Sequence, residues 1–137
     1  MSIFNSFNIN ASGMTAQRYR MDIISENLAN SNTTRTEDGT PYRRKVVTFE
    51  ERGPAVGTFS SFLGAAGSKY DRQGVKVSKV TEDTWTPMNM VYDPAHPDAD
   101  ENGYVMGPNV NVVTEMTNLI DASRSYEANA TAFNASK

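Results

Sequence analysis

Cysteine is absent from the 137 residues. Without it the chain forms no disulfide and holds no metal through thiolates, and it suits oxidising and reducing compartments alike. Histidine occurs once, at His96, in a loop between Pro94 and Pro97. One histidine and no cysteine leave no Ser/His/Asp or Cys/His arrangement to assemble. Gly-rich phosphate loops, nucleophile elbows and HExxH motifs are missing as well. No enzyme, no cofactor and no small-molecule substrate is therefore expected. Long apolar runs are missing: no stretch approaches the about 18 residues of a membrane span. Met1-Ser2-Ile3-Phe4-Asn5 lacks a basic region followed by an apolar block, so no cleaved secretory signal is expected. An excess of basic charge is missing too. The net charge is −3, which argues against a nucleic-acid partner. The single basic run, Arg43-Arg44-Lys45, reads as a solvated strand edge.

What is present is a pair of seven-residue rows, one at each end. Residues 112–137 carry Val112, Leu119, Tyr126 and Phe133, each seven residues from the last. Met116, Ala122 and Ala130 widen the row, and no proline interrupts it. This is a helix with a seam at coiled-coil period. Pro108 stands just before it, where a helix can begin but not be crossed. At 1.5 Å per residue such a rod is roughly 35–40 Å long. Residues 1–30 carry Phe7, Met14, Met21 and Leu28 at the same period, flanked by Phe4, Ala11 and Ile24. Gly13 weakens that helix by about 1 kcal/mol relative to alanine. Two seams of one period are natural partners. Both are sparse, with Asn10, Gln17, Ser123 and Asn129 on or beside them. Helices of this quality are weak alone and become stable by packing.

Between the ends the period changes from helical to alternating. Asn27-Leu28-Ala29-Asn30-Ser31-Asn32-Thr33-Thr34 prefers turns to continued helix. Asn27, Asn30 and Asn32 are expected to fix that turn. Glu37-Asp38-Gly39-Thr40-Pro41 is a second turn. Tyr42, Val46 or Val47, and Phe49 read as a strand. Val75, Val77 and Val80 read as another with one slip in its alternation, extended by Thr84-Trp85-Thr86 up to Pro87. Met90-Val91-Tyr92 and Tyr104-Val105-Met106 read as two short strands. Residues 53–74, rich in Gly, Ala and Ser around Phe59, Phe62 and Leu63, read as a flexible loop whose aromatics dock on something. The expected fold is α+β: long N- and C-terminal helices pairing as a coiled coil, with a small β-rich unit between them. The divisions are 1–34, 35–108 and 109–137.

One motif carries metal chemistry. Asp98-Ala99-Asp100-Glu101-Asn102-Gly103 matches the first half of a calcium loop. Its second half fails, because Asn109 stands where a bidentate glutamate belongs. An Asn102-Gly103 hairpin turn accounts for the same residues. A calcium-binding secreted module built on this loop is the alternative reading from another class.

Several motifs in order resemble a known family. Ser12-Gly13-Met14-Thr15-Ala16-Gln17 with Glu26-Asn27-Leu28-Ala29-Asn30-Ser31-Asn32-Thr33 looks like the N-terminal signature of bacterial flagellar rod and hook proteins. Asn109-Val110-Asn111-Val112-Val113, Glu115-Met116 and Ala122-Ser123-Arg124-Ser125-Tyr126-Glu127-Ala128-Asn129 look like their C-terminal signature. Asp38-Gly39-Thr40-Pro41-Tyr42-Arg43-Arg44-Lys45, Gly74-Val75-Lys76-Val77, Tyr92-Asp93-Pro94-Ala95-His96-Pro97 and Gly103-Tyr104-Val105 are similar to the proximal-rod members. Two features depart from the family pattern. Residues 53–74 are longer and richer in Gly and Ala, and members continue their last helix by a turn or two beyond the place of Lys137.

The resemblance implies a structural subunit of the flagellar basal-body rod, without catalytic activity. Such proteins leave by the flagellar type III export apparatus, uncleaved, and assemble in the periplasm with copies of themselves and other rod proteins. Their terminal helices form the inner coiled-coil tube that transmits torque, and the β part faces outward. Phe7, Met14, Met21, Leu28, Val112, Leu119, Tyr126 and Phe133 would then serve contacts within and between subunits. A distal rod or hook subunit is the alternative within the same class, and the short middle speaks against it.

Overall fold

The computed structural model describes residues 3–52 and 74–135. The chain runs helix, two hairpins, helix. Helix α1 spans Ile3–Ala29. Strands β1 (Lys45–Glu51) and β2 (Val75–Glu82) form one antiparallel pair, and β3 (Asn89–Tyr92) and β4 (Tyr104–Gly107) another. Helix α2 spans Val112–Ala135. The β-rich middle is thus two separate two-stranded sheets. Among the loops read from sequence, 53–73 with Phe59, Phe62 and Leu63 lies outside the described residues.

Both helices are proline-free, which leaves their backbone ladders unbroken. Asn111 caps α2: its Oδ1 accepts the Thr114 amide at 3.2 Å and its carbonyl accepts the Glu115 amide at 2.9 Å. Asn30 closes α1, its Nδ2 donating to the Glu26 carbonyl at 2.9 Å while its Oδ1 accepts from the Thr33 hydroxyl at 3.1 Å. One side chain thus serves a carbonyl of the last helical turn and ties the exit turn to it.

The helices pack side by side in opposite directions. Phe7 meets Phe133 edge to face at 4.8 Å, Arg20 pairs with Asp121 at 3.2 Å, and Asn27 reaches Glu115 at 3.4 Å. Residues rise along α1 as they fall along α2, which is antiparallel packing. Apart from Ile24, the line of closest approach is made of small and polar residues. Ala16, Ile24 and Ala122 are buried there. A β-carbon on Gly13 would stand 2.7 Å from Asn129 Oδ1, so glycine permits this approach.

The slip in the β2 alternation is a β-bulge. Thr48 pairs with Lys79 but Phe49 with Val77, which leaves Ser78 as the extra residue. Two expectations about this region fail. Thr84-Trp85-Thr86 does not extend β2. Asp83 turns the chain instead, its Oδ1 accepting the Trp85 and Thr86 amides at 3.1 and 2.9 Å. Asn102-Gly103 is not a two-residue hairpin turn. That turn needs positive φ at both central residues, and no described residue other than glycine has it. Gly103, at φ +83°, closes a longer loop in which the Asp93 amide donates to its carbonyl at 2.9 Å.

Candidate functional site: an assembly surface around a buried polar cluster

Among the described residues the bulkiest fully buried side chains are polar. Glu115, Asn27 and Asp83 are the largest fully buried ones. They belong to one cluster in which α1, β1, the end of β2 and the start of α2 meet. Asn27 is satisfied four ways. Its Oδ1 accepts from the Tyr42 hydroxyl at 2.7 Å and the Lys45 amide at 2.9 Å, and its Nδ2 donates to the Lys45 carbonyl and to Glu115. Arg44 donates through Nε to Glu115 Oε1 at 2.5 Å and through Nη1 to Asp83 Oδ2 at 2.9 Å. Asn109 joins the backbone on both sides: its Oδ1 accepts the Arg44 amide, and its Nδ2 donates to the carbonyls of Asp83 and Thr86. Lys45 reaches back to Glu26 at 2.7 Å.

Electrostatics follow from burial and pairing. Burial opposes the charge on Arg44, but its hydrogen bonds to Glu115 and Asp83 prevail and raise its pKa. Burial also opposes the Asp83 carboxylate. Donors from Thr86, Arg44 and Trp85 more than offset it, so Asp83 sits below the usual carboxylate value. Burial, with Glu26, Glu115 and Glu82 nearby, pushes the Tyr42 hydroxyl up to about 12. The basic run is therefore no solvated strand edge. Arg44 is mostly enclosed by its two carboxylate partners and Lys45 is half-buried beside Glu26, because a buried carboxylate pair needs a cation. A lone charged triplet in the sequence carries no sign of partners 39 and 71 residues away.

The residues of the two seven-residue rows flank this line of closest approach. Phe7 and Phe133 touch. Met14, Tyr126 and Phe133 border a shallow groove of about 240 Å³ with Ala11, Thr15 and Arg18. Met21, Leu28 and Leu119 are half-buried, and Val112 is 43% exposed. Of the three asparagines, Asn27 serves the cluster, Asn30 ends the helix, and Asn32 is exposed.

Two apolar faces point outward. On α2 they are Val113, Met116 and Ile120, at 74%, 53% and 58% exposure. On the second hairpin, Met90 lies opposite Met106 and Tyr92 opposite Tyr104, all exposed, with the tyrosine rings edge to face at 5.3 Å. Composition could not separate these from core residues.

Two carboxylates of the acidic loop have protein partners, one across the fold and one within the loop. Asp98 accepts from the Thr34 hydroxyl at 2.8 Å and pairs with Arg35 at 2.6 Å. Asp100 Oδ1 accepts the Asn102 and Tyr104 amides, each at 2.9 Å. His96 Nδ1 accepts the Asp98 amide at 3.0 Å. Among the described residues no group of three His, Asp or Glu is placed to hold a metal ion. No described helix is long and apolar enough to cross a membrane. A cleft of about 590 Å³ between α1 and β2 is lined by Asn8, Ser12, Tyr19, Arg52 and Lys76 among others.

Comparison with known proteins gives the family. A family model described as flagella basal body rod protein matches residues 7–35. A second, flagellar basal body rod FlgEFG protein C-terminal, matches residues 101–137. The two matches fall on α1 with its exit turn and on β4 with α2. The flagellar basal-body rod protein FlgC of Bacillus subtilis is 50% identical over all of this chain and 93% of its own length. The FlgC proteins of Borreliella burgdorferi and Salmonella typhimurium are 45% and 41% identical, each over all of this chain and 92% of their own. The chain belongs to the FlgC family of flagellar basal-body rod proteins.

Proposed function

We propose that the chain is a structural subunit of the proximal part of the flagellar rod, built into a helical tube by its terminal helices. The observation that carries this is the outward apolar face of α2, with Val113, Met116 and Ile120 uncovered in the single chain. An amphipathic helix that shows apolar side chains on its free face has a second neighbour to find. In this reading residues 1–34 and 109–137 form the coil and 35–108 the outer unit. Phe7, Met14, Met21, Leu28, Val112, Leu119, Tyr126 and Phe133 supply the contacts along the helix pair and its rims. Asn27, Asn30 and Asn32 shape the exit from α1. The subunit catalyses nothing. It passes through the type III export apparatus without loss of a signal peptide, and joins copies of itself and other rod proteins in the periplasm. Head-to-tail contacts with an axial offset give a tube rather than a closed ring, and torque is shared over many seams.

Complementation of a strain lacking this protein tests the reading. Leu119→Asp and Ile120→Asp are each expected to abolish motility and intact rods in isolated basal bodies. Ile120→Asp, at an exposed position, is expected to leave the helical circular dichroism of the monomer unchanged. Normal motility in both variants would refute the assignment.

A further inference from the structure

The free faces of the two helices carry complementary rows. On α2 the outer row is Met116, Ile120, Arg124 and Glu127; on α1 it is Ala29, Ser25, Asp22 and Arg18. All eight residues are exposed. Within each row neighbouring residues stand three or four apart, so each row keeps to one helix face. None of the four charged members makes an ion pair among the described residues.

Three ways of laying one row on the other give different results. In the antiparallel register found inside the chain, where Asn27 meets Glu115 and Arg20 meets Asp121, Arg124 would face Arg18 and Ile120 would face Asp22. Like charges at such a contact are unfavourable. A parallel arrangement sets Met116 on Arg18 and Ile120 on Asp22 and leaves Arg124 and Glu127 against Ser25 and Ala29. A shift of one helical turn from the internal register solves both problems. Met116 then lies on Ala29, Ile120 on Ser25, Arg124 on Asp22 and Glu127 on Arg18. Large apolar side chains meet small ones, and both charged positions meet their opposites.

We propose that a second copy of this chain packs the outer face of its α1 against the outer face of α2, antiparallel, in this shifted register. The proposal rests on the rod-subunit reading and names the partner of its exposed α2 face. A one-turn shift displaces the second copy along the helix axis by about 5–6 Å. Because the contacting faces differ, the second copy offers its own α2 to a third, and the displacement repeats. A staircase of this kind is a tube wall. The small residues of the α1 row admit a close approach, and the charged pairs reject the unshifted register.

Charge exchange and cross-linking test the register. Asp22→Arg and Arg124→Asp are each expected to lower the yield of intact rods about tenfold, with unchanged thermal unfolding of the monomer. The double variant Asp22→Arg/Arg124→Asp is expected to restore the yield. Single variants that assemble normally, or a double variant no better than either, would overturn the proposal. The chain has no cysteine of its own, so Ser25→Cys in one tagged copy and Ile120→Cys in a differently tagged copy report a single contact. Under mild oxidation a disulfide-linked pair carrying both tags is expected in isolated basal bodies. Both copies present in basal bodies without that pair would overturn the interface and leave the rod reading standing. Unsubstituted chains absent from basal bodies would overturn the rod reading, and the interface with it.

Discussion

Arg44 Nε donates to Glu115 Oε1 at 2.5 Å across 71 residues of sequence. The same guanidinium holds Asp83 Oδ2 at 2.9 Å. Its plane therefore joins the base of β1, the end of β2 and the first turn of α2, and the Asn27–Glu115 contact brings in α1. A planar fork of donors suits two carboxylates at once in a way that an ammonium does not. Glu115 also lies in the first turn of α2, where the helix dipole favours negative charge. The angle between the first hairpin and the helix pair is set here, by polar geometry rather than by a large apolar core.

Removing the cation should be costly. Arg44→Met leaves Asp83 and Glu115 buried without their partner. The expected loss is about 3–5 kcal/mol, read as a fall in the urea midpoint at neutral pH. Arg44→Lys is expected to recover only part of it, because an ammonium replaces a two-carboxylate fork. An Arg44→Lys variant as stable as the parent would contradict the forked geometry.

Stability should fall at both pH extremes for separate reasons. Asp83 has its pKa lowered below the ordinary 3.8. Its contribution is present above that value and is lost as pH falls through the lowered one. Asp83→Asn is expected to be less stable at neutral pH and to show a shallower loss below about pH 4. Tyr42 behaves oppositely. Its pKa is raised from 10.0 to about 12, so its contribution is present below pH 10 and is lost as pH rises through the folded value. Chemical unfolding of the parent and Tyr42→Phe between pH 8 and 12 checks this (on the order of 2–3 kcal/mol at the alkaline end). The parent is expected to show the alkaline loss and the variant a reduced one.

The helices, their bounds and most strands were legible because each rests on local periodicity. The intramolecular line runs one position from the seven-residue row of α1, through Gly13, Arg20 and Asn27, and three positions from that of α2, through Glu115, Ala122 and Asn129. Large apolar residues dominate any sequence reading of a seam, whereas these helices approach through small and polar ones. The polar cluster was illegible for a different reason. Arg44, Asp83, Asn109 and Glu115 are ordinary surface residue types, and their burial depends on contacts that no local pattern records. Even Asn27, singled out as a turn residue, owes its burial to Tyr42 and Lys45 across the fold.

That contrast makes the asparagines informative. Asn27→Ala removes the acceptor of the Tyr42 hydroxyl and Lys45 amide and the donor to the Lys45 carbonyl. Leaving such groups unpaired in the interior costs about 1–3 kcal/mol each at most, so a loss of about 3 kcal/mol is expected. Asn30→Ala removes one helix-end bond and should cost about 1 kcal/mol. Asn32→Ala, at an exposed position, should stay within about 0.5 kcal/mol. Thermal unfolding of the three variants ranks them; an Asn32 variant as damaged as Asn27 would refute the burial argument.

Gly74 is where the first hairpin is fastened to α1. Its φ is +101°, a conformation that other residues rarely adopt. A β-carbon there would also collide with Ser12 Oγ. That hydroxyl has two tasks, since it donates to the Ile9 carbonyl at 2.7 Å and accepts the Val75 amide at 3.1 Å. Gly74→Ala therefore combines backbone strain with loss of the bond that starts β2, and a cost of about 2–3 kcal/mol is expected. Ser12→Gly in the same chain relieves the collision but not the strain, and it leaves the Val75 amide without its acceptor. The double variant should accordingly be no more stable than Gly74→Ala alone. Ser12→Gly rescuing Gly74→Ala in thermal unfolding would show that the collision, and not the positive φ, governs this position.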